Sequence, residues 1–182
     1  MRKILSLLKM VVLAVGLILL SGCSHSYNSN TLGLDFYQWN LWHDTEAVPG
    51  NILPSCGWED LDRGMGILVR IPAPLDTYFP DRGDNSVFWY HCRFSLPEVW
   101  KGRPVSLIFE QAGPKVQLFL NQEAAGSFED REGPVELDVS DIIYHTRDNH
   151  LCIRVSQSGP GRMQLSDGVT GNIVVRVKPL EE

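Results

Sequence analysis

Apolar side chains fall on alternate residues from Val87 to Leu96, with Phe88, Tyr90, Cys92, Phe94 and Leu96 on one face and Trp89, His91, Arg93 and Ser95 on the other. A period of two belongs to a half-buried β-strand and would scatter the same apolar groups around a helix. The pattern recurs in Val105, Leu107 and Phe109, in Val116, Leu118 and Leu120, and in Val135, Leu137 and Val139. It returns in Leu151, Ile153 and Val155 and in Ile173, Val175 and Val177, while Met65 to Ile71 alternates more weakly and ends at Pro72. Gly, Pro, Asn and Asp separate these runs, and no amphipathic helix of useful length interrupts them. Short alternating strands over about 140 residues predict an all-β fold, an antiparallel jelly-roll β-sandwich.

The first residues follow another rule. Arg2, Lys3 and Lys9 precede an unbroken apolar run from Met10 to Leu20, and small residues then lead to Cys23. That is the layout of a secretory signal, expected as an N-terminal signal helix, and its eleven apolar residues fall short of the roughly 20 needed to cross a bilayer. Leu20-Ser21-Gly22-Cys23 resembles the lipobox of bacterial lipoproteins. The resemblance implies cleavage before Cys23 and three acyl chains on it, palmitate among them, and at about 0.8 kcal/mol per buried CH₂ such an anchor is effectively permanent. In that family an aspartate after the cysteine implies inner-membrane retention; Ser24 stands there instead, which favours the outer membrane, on its periplasmic or surface face. Residues 24–33 are small and polar and read as a tether. The expected organisation is therefore a signal peptide at 1–22, the lipidated Cys23 and tether through 34, and one sandwich domain over 35–180.

Removing residues 1–22 leaves 160 residues, enough for one core, and moves the formal charge from −6 to −9. So acidic a balance argues against nucleic acid and polyanionic glycans as main partners, since their binders normally show a basic face, and leaves room for a local basic patch. Cys56, Cys92 and Cys152 remain, too widely spaced for a zinc or redox motif, so at most one internal disulfide can form. Strand parity turns Cys92 inward and Cys152 outward, which disfavours a bond between them and leaves a bridge from Cys56 open.

The run from Phe88 to Val155 resembles the N-terminal sugar-binding domain of family 2 glycoside hydrolases, the β-galactosidase and β-glucuronidase group. The features that carry it are the aromatic strand ending in Phe94-Ser95-Leu96-Pro97, the Trp100-Lys101-Gly102 turn and the apolar strand from Val105 to Phe109. Leu118-Phe119-Leu120-Asn121, Leu137-Asp138-Val139-Ser140-Asp141 and the stretch from Asn149 to Val155 complete it. The resemblance implies a galactose-binding-domain-like jelly roll and a link to carbohydrate. Gln122 follows Asn121 where the family has glycine, so another hairpin turn is expected. The family's catalytic carboxylates belong to a barrel domain beyond the region matched here, so none is carried over.

The residues themselves point away from catalysis. There is no GxSxG or HExxH motif, and His91 and Cys92 are neighbours on one strand, pointing to opposite faces and unable to pair as base and nucleophile. The acidic groups Glu59 with Asp60 and Asp62, Asp81 with Asp84, and Asp130 with Glu132 read as solvated loop charge. No cofactor is expected beyond a structural calcium, for which Asp81 and Asp84 are the candidates.

Alternating strand directions place loops 72–86, 111–115, 129–134 and 157–171 at one end of the sandwich, and 97–104, 121–123 and 140–149 at the other. The first rim is richer in groups that could hold a polar ligand: Asp76, Tyr78, Asp81, Arg82, Asp84, Asp130 and Arg131, with Asn85, Gln111, Arg162 and Asp167 nearby. Tyr78 or Phe79 would serve as an aromatic platform, with Asp76, Asp81 and Arg82 as polar clamps. Trp39, Trp42, Trp58 and Trp100 read as edge or core packing. Trp89, on the outward phase of its strand, would cover an outer sheet face or a partner contact. The expected function is a membrane-anchored, non-catalytic lipoprotein at the cell envelope that binds carbohydrate or a carbohydrate-handling protein. The alternatives are an assembly lipoprotein that docks protein partners, and an accessory subunit of a separately encoded glycosidase.

Overall fold

The computed structural model of the chain describes residues 30–83, 85–129, 133–156 and 167–179. Among these, the expected antiparallel β-sandwich is what forms. A six-stranded sheet contains β2 (Trp39–Asp44), β3 (Ile67–Val69), β5 (Val87–Phe94), β8 (Lys115–Leu120), β9 (Glu123–Glu129) and β11 (Asn149–Ser156), in the order β3-β2-β5-β11-β8-β9. A four-stranded sheet faces it, made of β1 (Thr31–Gly33), β13 (Ile173–Val177), β6 (Val105–Phe109) and β10 (Val135–Asp138) in that order. Every pairing is antiparallel.

The register explains why alternation was sufficient to define the core. Leu151, Ile153 and Val155 of β11 lie opposite Cys92, Tyr90 and Phe88 of β5 on one side, and opposite Leu120, Leu118 and Val116 of β8 on the other. All nine side chains point between the sheets and join one apolar cluster with Val105, Leu107, Phe109, Ile173, Val175 and Val177. Period-two strands that share a register must present matched apolar faces, and burying them between two sheets is the driving term.

A second, smaller cluster lies on the outer face of the six-stranded sheet. The short helix α1 (Trp58–Asp62) and the chain around it cover Val87, Trp89, Phe119 and Cys152 with Leu61, assisted by Trp42, Ala47, Cys56, Trp58 and Met65. Trp89 and Cys152, read from parity as outward-facing, do leave the main core but are fully covered here, with exposures of 0% and 1%. The correction has a plain cause: alternation reports which face a residue occupies, not whether another layer lies upon it. Asp44 anchors that layer, accepting hydrogen bonds from Trp89 Nε1 at 3.1 Å, from Ser55 N at 3.1 Å and from the Ser55 hydroxyl. Cys56, Cys92 and Cys152 all carry free thiols.

The tether expected through residue 34 gives way earlier. Thr31–Gly33 pair with Val174 to Arg176 as an edge strand, and Leu34 is fully buried beneath them, so short polar composition did not preclude pairing through the backbone. Cys23, the signal segment and residues 24–29 lie outside the described residues. Trp39 and Trp100 are core residues, with Trp39 Nε1 donating to the Leu34 carbonyl at 2.9 Å, whereas Trp42 and Trp58 belong to the outer layer.

At one end of the sandwich a third sheet closes the fold. It joins β4 (Ala73–Pro74), β12 (Gly168–Val169) and β7 (Ala112–Gly113), with α2 (Leu75–Tyr78) following β4 directly. Residues 73–74, 112–113 and 168–169, from loops 72–86, 111–115 and 157–171, are thereby brought together, as their strand directions require.

Candidate functional site

The rim at this end is held from below by Tyr90. Its hydroxyl reaches out of the core to donate to the Ala73 carbonyl at 2.7 Å and accepts from Val169 N at 3.4 Å, so one side chain ties two strands of the small sheet to the sandwich. Burial holds this phenol above its usual range, so it stays a neutral donor. Gly168 has φ +108° and a Cβ there would stand 2.5 Å from the Tyr90 hydroxyl, which makes glycine a steric requirement.

The predicted ligand groups separate on this scaffold. Tyr78 and Phe79 end α2 half-buried against the main core, and Phe79 packs on Phe88 and His43 at 5.1 and 5.6 Å between ring centroids. Phe79 is thus a packing residue and not a platform. Arg82 Nη1 donates to the Phe79 carbonyl at 3.1 Å, which closes the turn after α2. Asp76 is half-buried and its Oδ1 has no hydrogen-bond partner, while Asp81 is exposed. Gln111 and Asp167 serve the fold through their carbonyls, which accept from Thr170 N and Gly171 N and from Leu75 N respectively. Asp84, Asp130, Arg131 and Arg162 lie outside the described residues, and with Asp84 so does half of the expected calcium pair.

Tyr78 lines a cleft. It faces Phe36, Tyr37, Gln38, Leu68, Val69 and Arg70 across an opening of about 540 Å³, between the turn that enters β2 and the edge strand β3. Tyr37 is fixed there by an edge-to-face contact with Phe94, with ring centroids 6.4 Å apart. Phe36 is 82% exposed and Leu68 65%, while Gln38 and Arg70 reach solvent. Three aromatic rings, an amide and a guanidinium thus meet on one surface. The sequence pointed to Tyr78 but not to its companions: Leu68 to Arg70 lie shortly before it in the chain, and Phe36 to Gln38, some 40 residues away, are brought beside them by the β2–β3 pairing.

The opposite end carries a smaller cleft of about 350 Å³, lined by Ser95, Leu96, Glu98, Lys101, His145, Thr146, Arg147 and Asp148. Asp148 binds Ser95 and Arg93, and these hydrogen bonds hold its carboxyl below the usual range. Arg147 lies over the Tyr144 ring at 3.5 Å.

A third constellation was not legible in the sequence. His91 on β5 and His150 on β11 lie diagonally across the central strand pair, their rings nearly parallel and 5.3 Å apart, and Asp62 at the end of α1 descends onto both. His91 Nε2 is 3.1 Å from His150 Nδ1, while Asp62 Oδ1 is 3.7 Å from the first and 3.4 Å from the second. Two histidines far apart in the sequence are therefore neighbours in the fold. Burial pushes His91 down to about 4, with Asp62 opposing that shift, so the ring is neutral at ordinary pH. Cys92 lies on the other side of the sheet, with burial pushing its thiol up to about 12, and burial raises Cys152 as well. Neither is a thiolate nucleophile, and His91 and Cys92 cannot meet.

No family profile matches the chain. A β-galactosidase from Psychromonas ingrahamii is 25% identical over 166 residues, covering 79% of this chain and 16% of its own length. A β-galactosidase from Thermoanaerobacter pseudethanolicus is 27% identical over 101 residues, covering 53% of this chain and 14% of that one. Among solved structures, a glycosyl hydrolase family 2 member from Bacteroides cellulosilyticus superposes with a TM-score of 0.63 at 14% identity, over 81% of this chain and 20% of its own. A β-glucuronidase from Ruminococcus gnavus superposes with a TM-score of 0.61 at 17% identity, over 82% of this chain and 29% of that protein. The chain thus has the β-sandwich fold found in one part of family 2 glycosyl hydrolases, and spans about a sixth of the length of the curated relatives it matches.

Proposed function

We propose that this protein is a lipid-anchored, non-catalytic module of the cell envelope that binds carbohydrate in the cleft at Tyr78. The observation that carries the reading is the composition of that cleft. Tyr37, Tyr78 and Phe36 offer faces for the apolar side of a pyranose ring, and Gln38 and Arg70 offer donors for its hydroxyls or for a sugar carboxylate. No carboxylate is among the lining residues, and glycoside hydrolysis requires two of them about 5 to 9 Å apart, so this surface suits binding and not cleavage. The relatives add support for a sugar ligand: they are named β-galactosidases, and one of the superposed β-glucuronidases was solved with D-glucuronic acid. Anchoring rests on the lipobox-like Leu20 to Cys23 and the apolar run before it.

The test is titration of the full chain, in mild detergent, with galactosides and glucuronides. Saturable binding that falls at least tenfold in both Tyr78→Ala and Arg70→Ala is expected. Binding that survives in both variants would move the ligand elsewhere, and hydrolysis of an aryl glycoside by the purified chain would contradict the non-catalytic role.

A second reading is favoured by one observation. Among the described residues β3 is an edge strand paired on its β2 side alone, and its Ile67 and Leu68 are exposed beside Phe36. Such an edge can accept a strand from a protein partner, as in an assembly lipoprotein or an accessory subunit of a glycosidase. Cross-linking from position 68 to an envelope protein, together with no glycan binding, would support this second reading over the first.

A further inference from the structure

We propose that Asp62, His91 and His150 form a binding site for a divalent transition-metal ion of the zinc class. The three donor atoms, His91 Nε2, His150 Nδ1 and Asp62 Oδ1, are separated by 3.1, 3.4 and 3.7 Å. Zinc bonds to imidazole nitrogen and carboxylate oxygen are about 2.0 to 2.1 Å long, which sets the edges of a tetrahedral ligand set near 3.3 Å. The observed triangle brackets that edge. The point in its plane equidistant from its corners lies about 2.0 Å from each, already a metal–ligand distance.

The surroundings are those of a built site. His91 is 5% exposed, and Asp62 and His150 are 18% and 27% exposed at the side chain, so the pocket is sheltered by α1 but open to an entering ion on the His150 side. Gln122 Nε2 donates to Asp62 Oδ2 at 3.2 Å, which leaves Oδ1 turned toward the imidazoles. A partner of this kind, holding the second oxygen of a ligating carboxylate, is a usual companion of metal ligands. The nearest cation on the same sheet face, Arg93, is engaged by Asp148. The Cys152 thiol lies 4.0 Å from Asp62 Oδ1, at the margin of the cluster and outside the donor triangle. Three protein ligands leave a fourth position for water.

Two imidazoles with one carboxylate select borderline ions such as zinc, cobalt or nickel over calcium and magnesium, which prefer all-oxygen shells. The location gives the ion a task. Its ligands come from β5, β11 and the end of α1, so it would pin the layer that covers Trp89 and Phe119 to the two central strands of the sheet. Because only the folded chain assembles the triangle, binding raises stability in proportion to free metal.

The experiment uses the full chain in mild detergent, stripped with chelator and titrated with zinc chloride by calorimetry. One equivalent of zinc is expected, with a rise in the thermal midpoint, and Asp62→Asn and His150→Gln are each expected to weaken binding at least tenfold. Cobalt(II) in the same site should show visible ligand-field bands without a thiolate charge-transfer band. No zinc uptake by a chain whose circular dichroism is that of a folded β protein would overturn the proposal, as would uptake unchanged in both variants. Should either variant fail to fold, the cobalt spectrum of the unaltered chain decides: nitrogen and oxygen ligation supports the site, and a thiolate band overturns it.

Discussion

Tyr90 shows how one residue can serve the core and the rim together, because its ring lies among Phe88, Leu118 and Val155 while its hydroxyl holds Ala73 and Val169. Tyr90→Phe keeps the ring and leaves a buried carbonyl without its donor, so a loss of about 1 to 2 kcal/mol is expected from urea unfolding. Amide exchange should quicken at residues 168–169 in the same variant. The buried imidazoles make a separate prediction. His43, stacked on Phe88 at 4.5 Å, and His91 are both held below the ordinary value of 6.5, chiefly by burial, against the opposing pull of Asp44 and Asp62 respectively. The unfolded chain therefore takes up protons that the native chain refuses once the pH falls below about 6.5. Stability measured in the presence of chelator should decline as the pH falls from 6.5 toward 4, and His43→Gln should flatten the decline. An unfolding midpoint equal at pH 7.5 and pH 5.0 would contradict it.

At the scale of elements, the β8–β9 hairpin repays attention. Asn121 and Gln122 have φ of 56° and 71°, so both central residues are left-handed as a type I′ turn demands, and the departure from glycine at Gln122 is accommodated by strain. Asn121 offsets part of that strain by donating to the Ile142 carbonyl and to Asn149 Oδ1 and by accepting from His150 N. Gln122→Gly should stabilise the fold by about 0.5 kcal/mol, since a left-handed backbone costs a non-glycine residue roughly 1 to 2 kcal/mol, while the greater freedom of unfolded glycine and the loss of the exposed hydrogen bond to Asp62 return part of the gain. The strands themselves were readable because alternation is a local property: Phe88 to Leu96 and Leu151 to Val155 declare their inner face without knowledge of partners. What lies on the outer face was not readable. Trp89 looked exposed because α1 is only five residues long and carries no periodic signature, yet it covers a whole patch of sheet. Asp62, His91 and His150 stayed invisible for the same reason, since 29 and 59 residues separate them in turn and they meet only through the diagonal register of β5 and β11 and the placement of α1 on that face. The one available sign was that His91 sits on the outward phase of its strand.

For the whole molecule, the sandwich is a frame with the proposed sites at its margins: a cleft at the β3 edge, a rim sheet clasped by Tyr90, and an outer layer over the central strands. Parity placed the described parts of loops 72–86, 111–115 and 167–171 together, but it could not foresee that Phe79 would pack against Phe88 or that Tyr78 would line a cleft with β3. The proposed lipid attachment also belongs to this scale, and it predicts that Cys23→Ser moves the chain from the membrane fraction to the soluble fraction of a fractionated cell. Equal membrane partition of both forms would argue against acylation at that residue. The central claim, a sugar held between Tyr37, Tyr78 and Arg70, is tested most directly by chemical-shift mapping of the isotopically labelled chain during titration with a galactoside or glucuronide. Saturable shifts concentrated at residues 36–38, 68–70 and 78 are the predicted result; shifts confined to the 95–101 and 145–148 cleft, or none at saturating sugar, would contradict it.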